Sequence, residues 1–84
     1  MTTALDVAVY PNPSTAEFNV EAHFEGAGNY SLIVRDILGR VVESYRDINY
    51  LPVFAFGKTL HSGIYFMEVT RGDERQIVRV VKSE

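Results

Sequence analysis

The sequence contains no cysteine and no tryptophan among its 84 residues. Without cysteine the chain can form no disulfide bond, thiolate metal site or cysteine nucleophile. Exported proteins can also lack disulfides, so this absence does not identify the cellular compartment. The cysteine and tryptophan landmarks of antibody domains are missing as well.

Excess positive charge and long hydrophobic runs are also absent. Eight Lys and Arg stand against eleven Asp and Glu, for a formal net charge of −3, and the basic residues are scattered along the chain. This balance argues against nucleic-acid binding. No segment approaches the roughly 20 apolar residues that a membrane-spanning helix needs, and residues 1–6 lack the pattern of a secretory signal. We expect any export signal to lie elsewhere or to be the domain itself.

The size and composition indicate one folded domain. Hydrophobic residues make up 46% of the chain and charged residues 23%, which is typical of a globular domain. A chain this short buries a small core and leaves little room for a large catalytic cleft. No repeat or linker divides it. We therefore predict a single domain over residues 1–84, with residues 1–6 as either linker or cloning remnant.

Alternating apolar and polar residues predict strands in the first half of the chain. Residues 18–25 alternate strictly, which gives one apolar and one polar face. A glycine-rich turn follows, and residues 30–35 resume the alternation. Asp36 is expected to open a hairpin turn and Gly39 to close it with positive φ before a strand at 41–45.

The second half predicts three more strands. We expect a short strand near residues 53–56, a longer one over 63–70, a turn over 71–74 and a last strand over 76–82. The last strand has apolar residues on both faces, so it is expected to be largely covered and not a free edge. Six or seven short strands without a helix predict an all-β, immunoglobulin-like antiparallel β-sandwich.

Catalytic and metal-binding patterns are not found in the sequence. His23 falls on the polar face of its predicted strand and His61 falls in a loop, and their spacing matches no metal-ligand set. The serines lack a nucleophile-elbow context, and three aspartates lie at expected turns, where their backbone chemistry explains them. We predict a protein that is not an enzyme and has no cofactor.

Five segments, taken in order, resemble the type A C-terminal sorting domain of the type IX secretion system. They are Val9-Tyr10-Pro11-Asn12-Pro13, Phe18-Asn19-Val20, Val34 to Val42, Leu60 to Val69, and Arg79-Val80-Val81-Lys82. The resemblance covers nearly the whole chain. The motif residues that match are Pro11, Asn12 and Pro13 in the first block, Asp36 and Gly39 in the hairpin segment, Gly63 and Tyr65 in a Gly-x-Tyr block, and Arg79 and Lys82 in a basic terminal block. The family commonly has Lys where this chain has Arg79, which keeps the charge but changes the hydrogen-bond geometry.

The resemblance implies a non-catalytic secretion signal in a Gram-negative bacterium. Such a domain follows an N-terminally fused cargo protein through the periplasm, directs it through the outer-membrane type IX translocon, and is usually removed by a sortase-like peptidase at the cell surface. The cargo is then secreted or kept at the cell surface. The resemblance places the cleavage site at or upstream of residues 1–3.

The basic terminal block is our candidate for translocon contact. A last strand can pair with a receptor by β-augmentation, and the cations of Arg79 and Lys82 would add charge complementarity around Val80 and Val81. The other motif residues have structural alternatives: Gly63 for close backbone approach, Tyr65 as core, and the prolines as a turn.

Two further hypotheses remain open from the sequence. The first is an extracellular module that binds carbohydrate or protein and stays on a secreted enzyme, with Tyr45, Tyr50, Phe54 and Phe56 as a stacking surface, although a core role suits these aromatic residues better. The second is a dimer formed by exchange of the last strand between copies.

Overall fold

The structure is a computed structural model that describes residues 5–26, 28–49 and 53–83. Its described residues form seven strands and no helix, so none of them lies in a helix that could cross a membrane. The strands are β1 Asp6–Tyr10, β2 Phe18–His23, β3 Asn29–Asp36, β4 Val41–Asn49, β5 Phe54–Phe56, β6 Gly63–Arg71 and β7 Glu74–Lys82.

The strands form two antiparallel sheets packed as a sandwich. One sheet has the order β1-β2-β5 and the other the order β4-β3-β6-β7. Every strand pair within the sheets is antiparallel. This arrangement of three and four strands confirms the predicted immunoglobulin-like class.

The core lies between the inward faces of the two sheets. Alternation along β2 turns Phe18, Val20 and Ala22 inward, and Phe18 stacks on Phe56 of the neighbouring strand with ring centroids 5.3 Å apart. The facing sheet contributes a second set of fully buried side chains, which are Tyr30, Leu32, Val34, Met67, Val69 and Val80. A period of two therefore builds the core from both sides.

Several strand boundaries differ from the prediction, and two of these differences have identifiable reasons. The strand predicted over 41–45 extends to Asn49, because Arg46 and Asp47 together lie opposite the single residue Ser31. Such a β-bulge needs an unusual backbone, and Asp47 has a φ of 53°. The last strand begins at Glu74, two residues early, because its turn is a tight two-residue connection at Gly72-Asp73.

The predicted hairpin between β3 and β4 is confirmed in detail. Gly39 has a φ of 86°. The Asp36 carboxylate accepts hydrogen bonds from the N–H of Leu38 at 2.9 Å, the N–H of Arg40 at 3.0 Å and the Nε of Arg40 at 2.9 Å. Partial desolvation acts to raise the pKa of the Asp36 carboxyl, but these hydrogen bonds together outweigh it and hold the pKa below its usual value.

The position of β7 corrects the prediction that the last strand is covered. β7 is the outermost strand of its sheet, and Ile77 on its outward face is 56% exposed. Apolar residues on both faces thus arise from solvent-facing side chains and not from a second covering layer. The edge of β7 that faces away from β6 is nevertheless paired, over part of its length, with residues of the turn that follows β1.

The hairpin predicts a pH-dependent effect of Asp36→Asn. A carboxyl with a lowered pKa in the folded state stabilises the fold above its unfolded pKa, and this contribution disappears as the pH falls through the folded pKa. We expect Asp36→Asn to lower the free energy of unfolding at neutral pH, and the difference from wild type to shrink in acid. Urea unfolding at several pH values measures this. Asp73→Asn, in the exposed β6–β7 turn, is the control, and a difference for Asp36→Asn that does not change with pH would contradict the account.

Candidate functional site

Asn12 fastens the first turn of the chain to the last strand. The turn follows β1 and contains cis peptide bonds at Tyr10–Pro11 and Asn12–Pro13. The Nδ2 of Asn12 donates to the carbonyl of Arg79 at 2.9 Å, and its Oδ1 accepts from the N–H of Val81 at 2.9 Å. The side-chain amide therefore takes the place of a neighbouring strand along the outer edge of β7.

Ser14 continues this pairing with its own backbone. Its N–H donates to the carbonyl of Val81 at 3.0 Å, and its carbonyl accepts from the N–H of Ser83 at 2.8 Å. The Ser14 hydroxyl accepts from the N–H of Ala16 at 3.1 Å and donates to the carbonyl of Glu17 at 2.6 Å, which fixes the turn. Asn12 and Ser14 thus form a clamp that closes the edge of β7 from Arg79 to Ser83.

Lys82 is buried beneath the clamp. The residue is only 4% exposed, and its Nζ donates to the carbonyl of Gly57 at 2.6 Å and to the carbonyl of Lys58 at 3.1 Å. A buried ammonium group requires such hydrogen bonds. The side chain therefore connects β7 of one sheet to the segment that leaves β5 of the other, and its charge does not lie on the surface.

The carbonyl of Gly57 accepts the hydrogen bond from Lys82, a role that the sequence did not predict. Gly57 has a φ of 83°, and its N–H donates to the Oε1 of Glu43 at 3.0 Å. A Cβ at this position would lie 2.8 Å from the Cδ2 of Phe18. A glycine between Phe56 and Lys58 was the available sequence signal, but neither the facing aromatic ring nor the two distant hydrogen-bond partners can be inferred from it.

The Gly-x-Tyr motif forms a tyrosine corner of the kind found in immunoglobulin-like sandwiches. Tyr65 is buried, and its hydroxyl donates a hydrogen bond to the carbonyl of His61 at 2.8 Å. Gly63 has a φ of 156°, and a Cβ there would lie 3.7 Å from the Cε1 of Tyr65. Gly63 is exposed, and 3.7 Å is an ordinary van der Waals distance, so the space around Gly63 would admit a Cβ.

The four residues of the basic terminal block point in two directions. Val80 is fully buried in the core and Lys82 is buried on the same face of β7, whereas Arg79 and Val81 lie on the outward face. Arg79 lies directly across from Phe66 of β6 in the strand register. The structure therefore brings the first motif and the terminal block together, but leaves only Arg79 and Val81 on the outer surface.

The aromatic residues considered as a stacking surface do not form one. Tyr45 and Phe54 pack edge to face with ring centroids 5.1 Å apart against the core, and Phe56 is buried on Phe18. Tyr50 lies outside the described residues. Within residues 5–26, 28–49 and 53–83, no group of three His, Cys, Asp or Glu side chains could hold a metal ion.

The fold and the clamp together define an immunoglobulin-like β-sandwich module whose first turn is fastened to its last strand. Comparison with protein families gives a match to the family described as secretion system C-terminal sorting domain, over residues 8–83. The chain belongs to this family of type IX secretion sorting domains. The comparison with curated proteins gave no match to this chain. The matched range includes both the clamp and β7.

The clamp predicts a specific stability loss for Asn12→Ala. The substitution leaves the Arg79 carbonyl and the Val81 N–H without their partner, and we expect it to lower the free energy of unfolding by about 1–3 kcal/mol. Urea unfolding measures the change. Asn19→Ala is the matched control, because Asn19 donates a single 3.2 Å bond to the carbonyl of Tyr10 and its loss should cost less. Equal losses for the two variants would contradict the clamp.

Gly57 and Gly39 provide a matched pair for testing the steric role of Gly57. Both have nearly the same positive φ, but a Cβ on Gly39 meets no atom within 4 Å. We expect Gly39→Ala to cost about 1–2 kcal/mol from backbone strain alone, and Gly57→Ala to cost a further ~1–3 kcal/mol from the collision with Phe18. Thermal or urea unfolding of the two variants gives the difference, and similar losses would show that the close approach to Phe18 is unimportant.

Proposed function

We propose that the outer-membrane type IX translocon recognises this domain at the clamped end of β7. The chain acts as a non-catalytic address for an N-terminally fused cargo protein. The observation that carries the proposal is the clamp itself, because two motifs separated by most of the sequence meet there. The recognised unit is then a folded surface and not a linear stretch of residues.

Arg79 supplies the charge at this surface. Among the residues that the structure describes, no carboxylate forms an ion pair with Arg79, whereas Arg35 and Arg40 pair with Glu68 and Asp36 at 2.6 Å and 2.9 Å. An uncompensated cation on a rigid strand can steer and orient an acidic receptor surface. Lys82 supports the same surface from below by fixing β7 to the opposite sheet.

Side chains, and not strand addition, carry the contact in this proposal. The outward carbonyl of Arg79, both backbone groups of Val81 and the N–H of Ser83 are already paired with Asn12 and Ser14. A receptor strand cannot add to these groups while the clamp is in place. The side chains of Arg79 and Val81 remain accessible on the outward face, beside Phe66.

Removal of the domain by a sortase-like surface peptidase belongs to the same proposal. A cut at or upstream of residues 1–3 leaves every described strand intact, because β1 begins at Asp6. The cargo would then be released or kept at the cell surface. A dimer formed by exchange of β7 stays a prediction, which light scattering of the isolated domain tests.

Reporter export tests the proposal directly. Residues 1–84 are fused to the C-terminus of a periplasm-targeted reporter in a type IX-competent host, and the reporter is measured at the surface and in the medium. We expect export of the wild-type fusion, and loss of export when the chain is truncated after Arg75. We also expect an about tenfold loss for Arg79→Glu with retention for Arg79→Lys, because the contact requires the positive charge.

The controls separate recognition from folding. Arg46→Glu changes an exposed arginine of β4 and should leave export unchanged. The purified Arg79→Glu domain should unfold in urea as the wild type does, because its side chain is exposed. Equal export of the full-length and truncated fusions would refute the sorting function, and full export of Arg79→Glu would refute the role of Arg79.

A further inference from the structure

Two shallow grooves lie beside the β3–β4 hairpin, and Asp36 and Ile37 line both of them. One groove of about 300 Å³ is lined by residues that include Leu38 and Ile64. A second groove, also about 300 Å³, is lined by residues that include Phe66 and Ile77. Because Ile37 lines both grooves, they form one continuous surface, which we call the hairpin-side surface.

The hairpin-side surface is unusually apolar for a sheet face that is open to solvent. Ile37 is 68% exposed and Leu38 is 76% exposed at the hairpin tip. Three apolar side chains on the neighbouring strands β6 and β7 are exposed as well, namely Ile64, Phe66 and Ile77. Adjoining exposed apolar side chains of this kind mark interaction sites in soluble proteins.

Arginines border the hairpin-side surface in a regular arrangement. The strand register places Arg35, Phe66 and Arg79 abreast across β3, β6 and β7. In the adjacent row Glu68 lies across from Ile77, and its carboxylate pairs with Arg35 at 2.6 Å and Arg75 at 3.5 Å. Asp36 lines both grooves and pairs with Arg40 at 2.9 Å. Four arginines therefore stand against two carboxylates, and the face is positive although the chain carries a net charge of −3.

This charge pattern selects among the occupants that the surface could have. A second copy bound through the same face about a two-fold axis would bring the arginine-bordered surfaces of both copies together, which like charges oppose. An acidic partner instead gains from the same arginines. Two adjoining grooves that share Asp36 and Ile37 suit individual apolar side chains of a protein segment better than a flat lipid surface.

We infer that the hairpin-side surface binds an acidic protein segment of the export machinery, with apolar side chains of that segment in the grooves beside Ile37. Arg35 and Arg79 pair with its carboxylates. The surface is continuous with Arg79, which is the proposed contact of the sorting signal. Binding at this surface therefore rests on the proposed sorting function, and an acidic segment with apolar side chains is the chemistry of the partner.

Site-specific photo-cross-linking tests the identity of the occupant. A photoreactive amino acid replaces Ile77 in the reporter fusion, and in a matched control it replaces Val53, which is 41% exposed and lines neither groove. We expect an adduct from position 77, absent from position 53, whose cross-linked peptide contains Asp or Glu beside apolar residues. An adduct to lipid, to a second copy or to a segment without acidic residues would overturn the inference, as would equal labelling from both positions.

Export of surface variants provides an independent readout. We expect Ile77→Ser and Phe66→Ser each to reduce export about tenfold, with Val53→Ser at the wild-type level, while urea unfolding of the purified variants shows that all three remain folded. Ile77→Leu should retain export because it keeps the apolar contact. If the wild-type fusion is exported and Ile77→Ser is exported equally well, the docking surface is wrong and the sorting function stands. If the wild-type fusion is not exported, both are wrong.

Discussion

The side-chain amide of Asn12 is the contact on which the end of this fold depends. An outer strand presents backbone groups that must be paired or hydrated, and β7 presents them beside the edge of the opposite sheet. Asn12 pairs two of these groups with one carboxamide, at 2.9 Å in each case, and Ser14 pairs two more through its backbone. The clamp therefore closes one side of the sandwich and makes the first turn and the last strand a single structural unit.

Lys82 and Gly57 fix the same strand from inside. Because alternation along β7 turns Lys82 inward and Arg79 outward, one strand carries both a structural cation and a surface cation. The buried ammonium group connects the two sheets through the carbonyl of Gly57. In the folded sandwich, Arg79 therefore has a fixed position on the outer face of β7.

Local periodicity predicted most of the fold, because strand alternation and turn residues are local properties of the sequence. The strand at Phe18, the hairpin closed by Gly39 and the sandwich class are all confirmed. The same reasoning could not place β7 at the sheet edge, since apolar residues on both faces do not reveal which strands are neighbours. It also could not show that Lys82 is buried or that Asn12 meets Val81, because those contacts join residues far apart in sequence.

Amide hydrogen exchange at Val81 tests the clamp most directly. In the wild-type domain the N–H of Val81 donates to a side chain and not to a strand, and we predict that it is nevertheless protected. In Asn12→Ala we predict that its exchange accelerates by at least about tenfold relative to the N–H of Val69 in the interior strand β6. Fast exchange of Val81 in the wild type, or equal acceleration at Val81 and Val69 in the variant, would contradict the account.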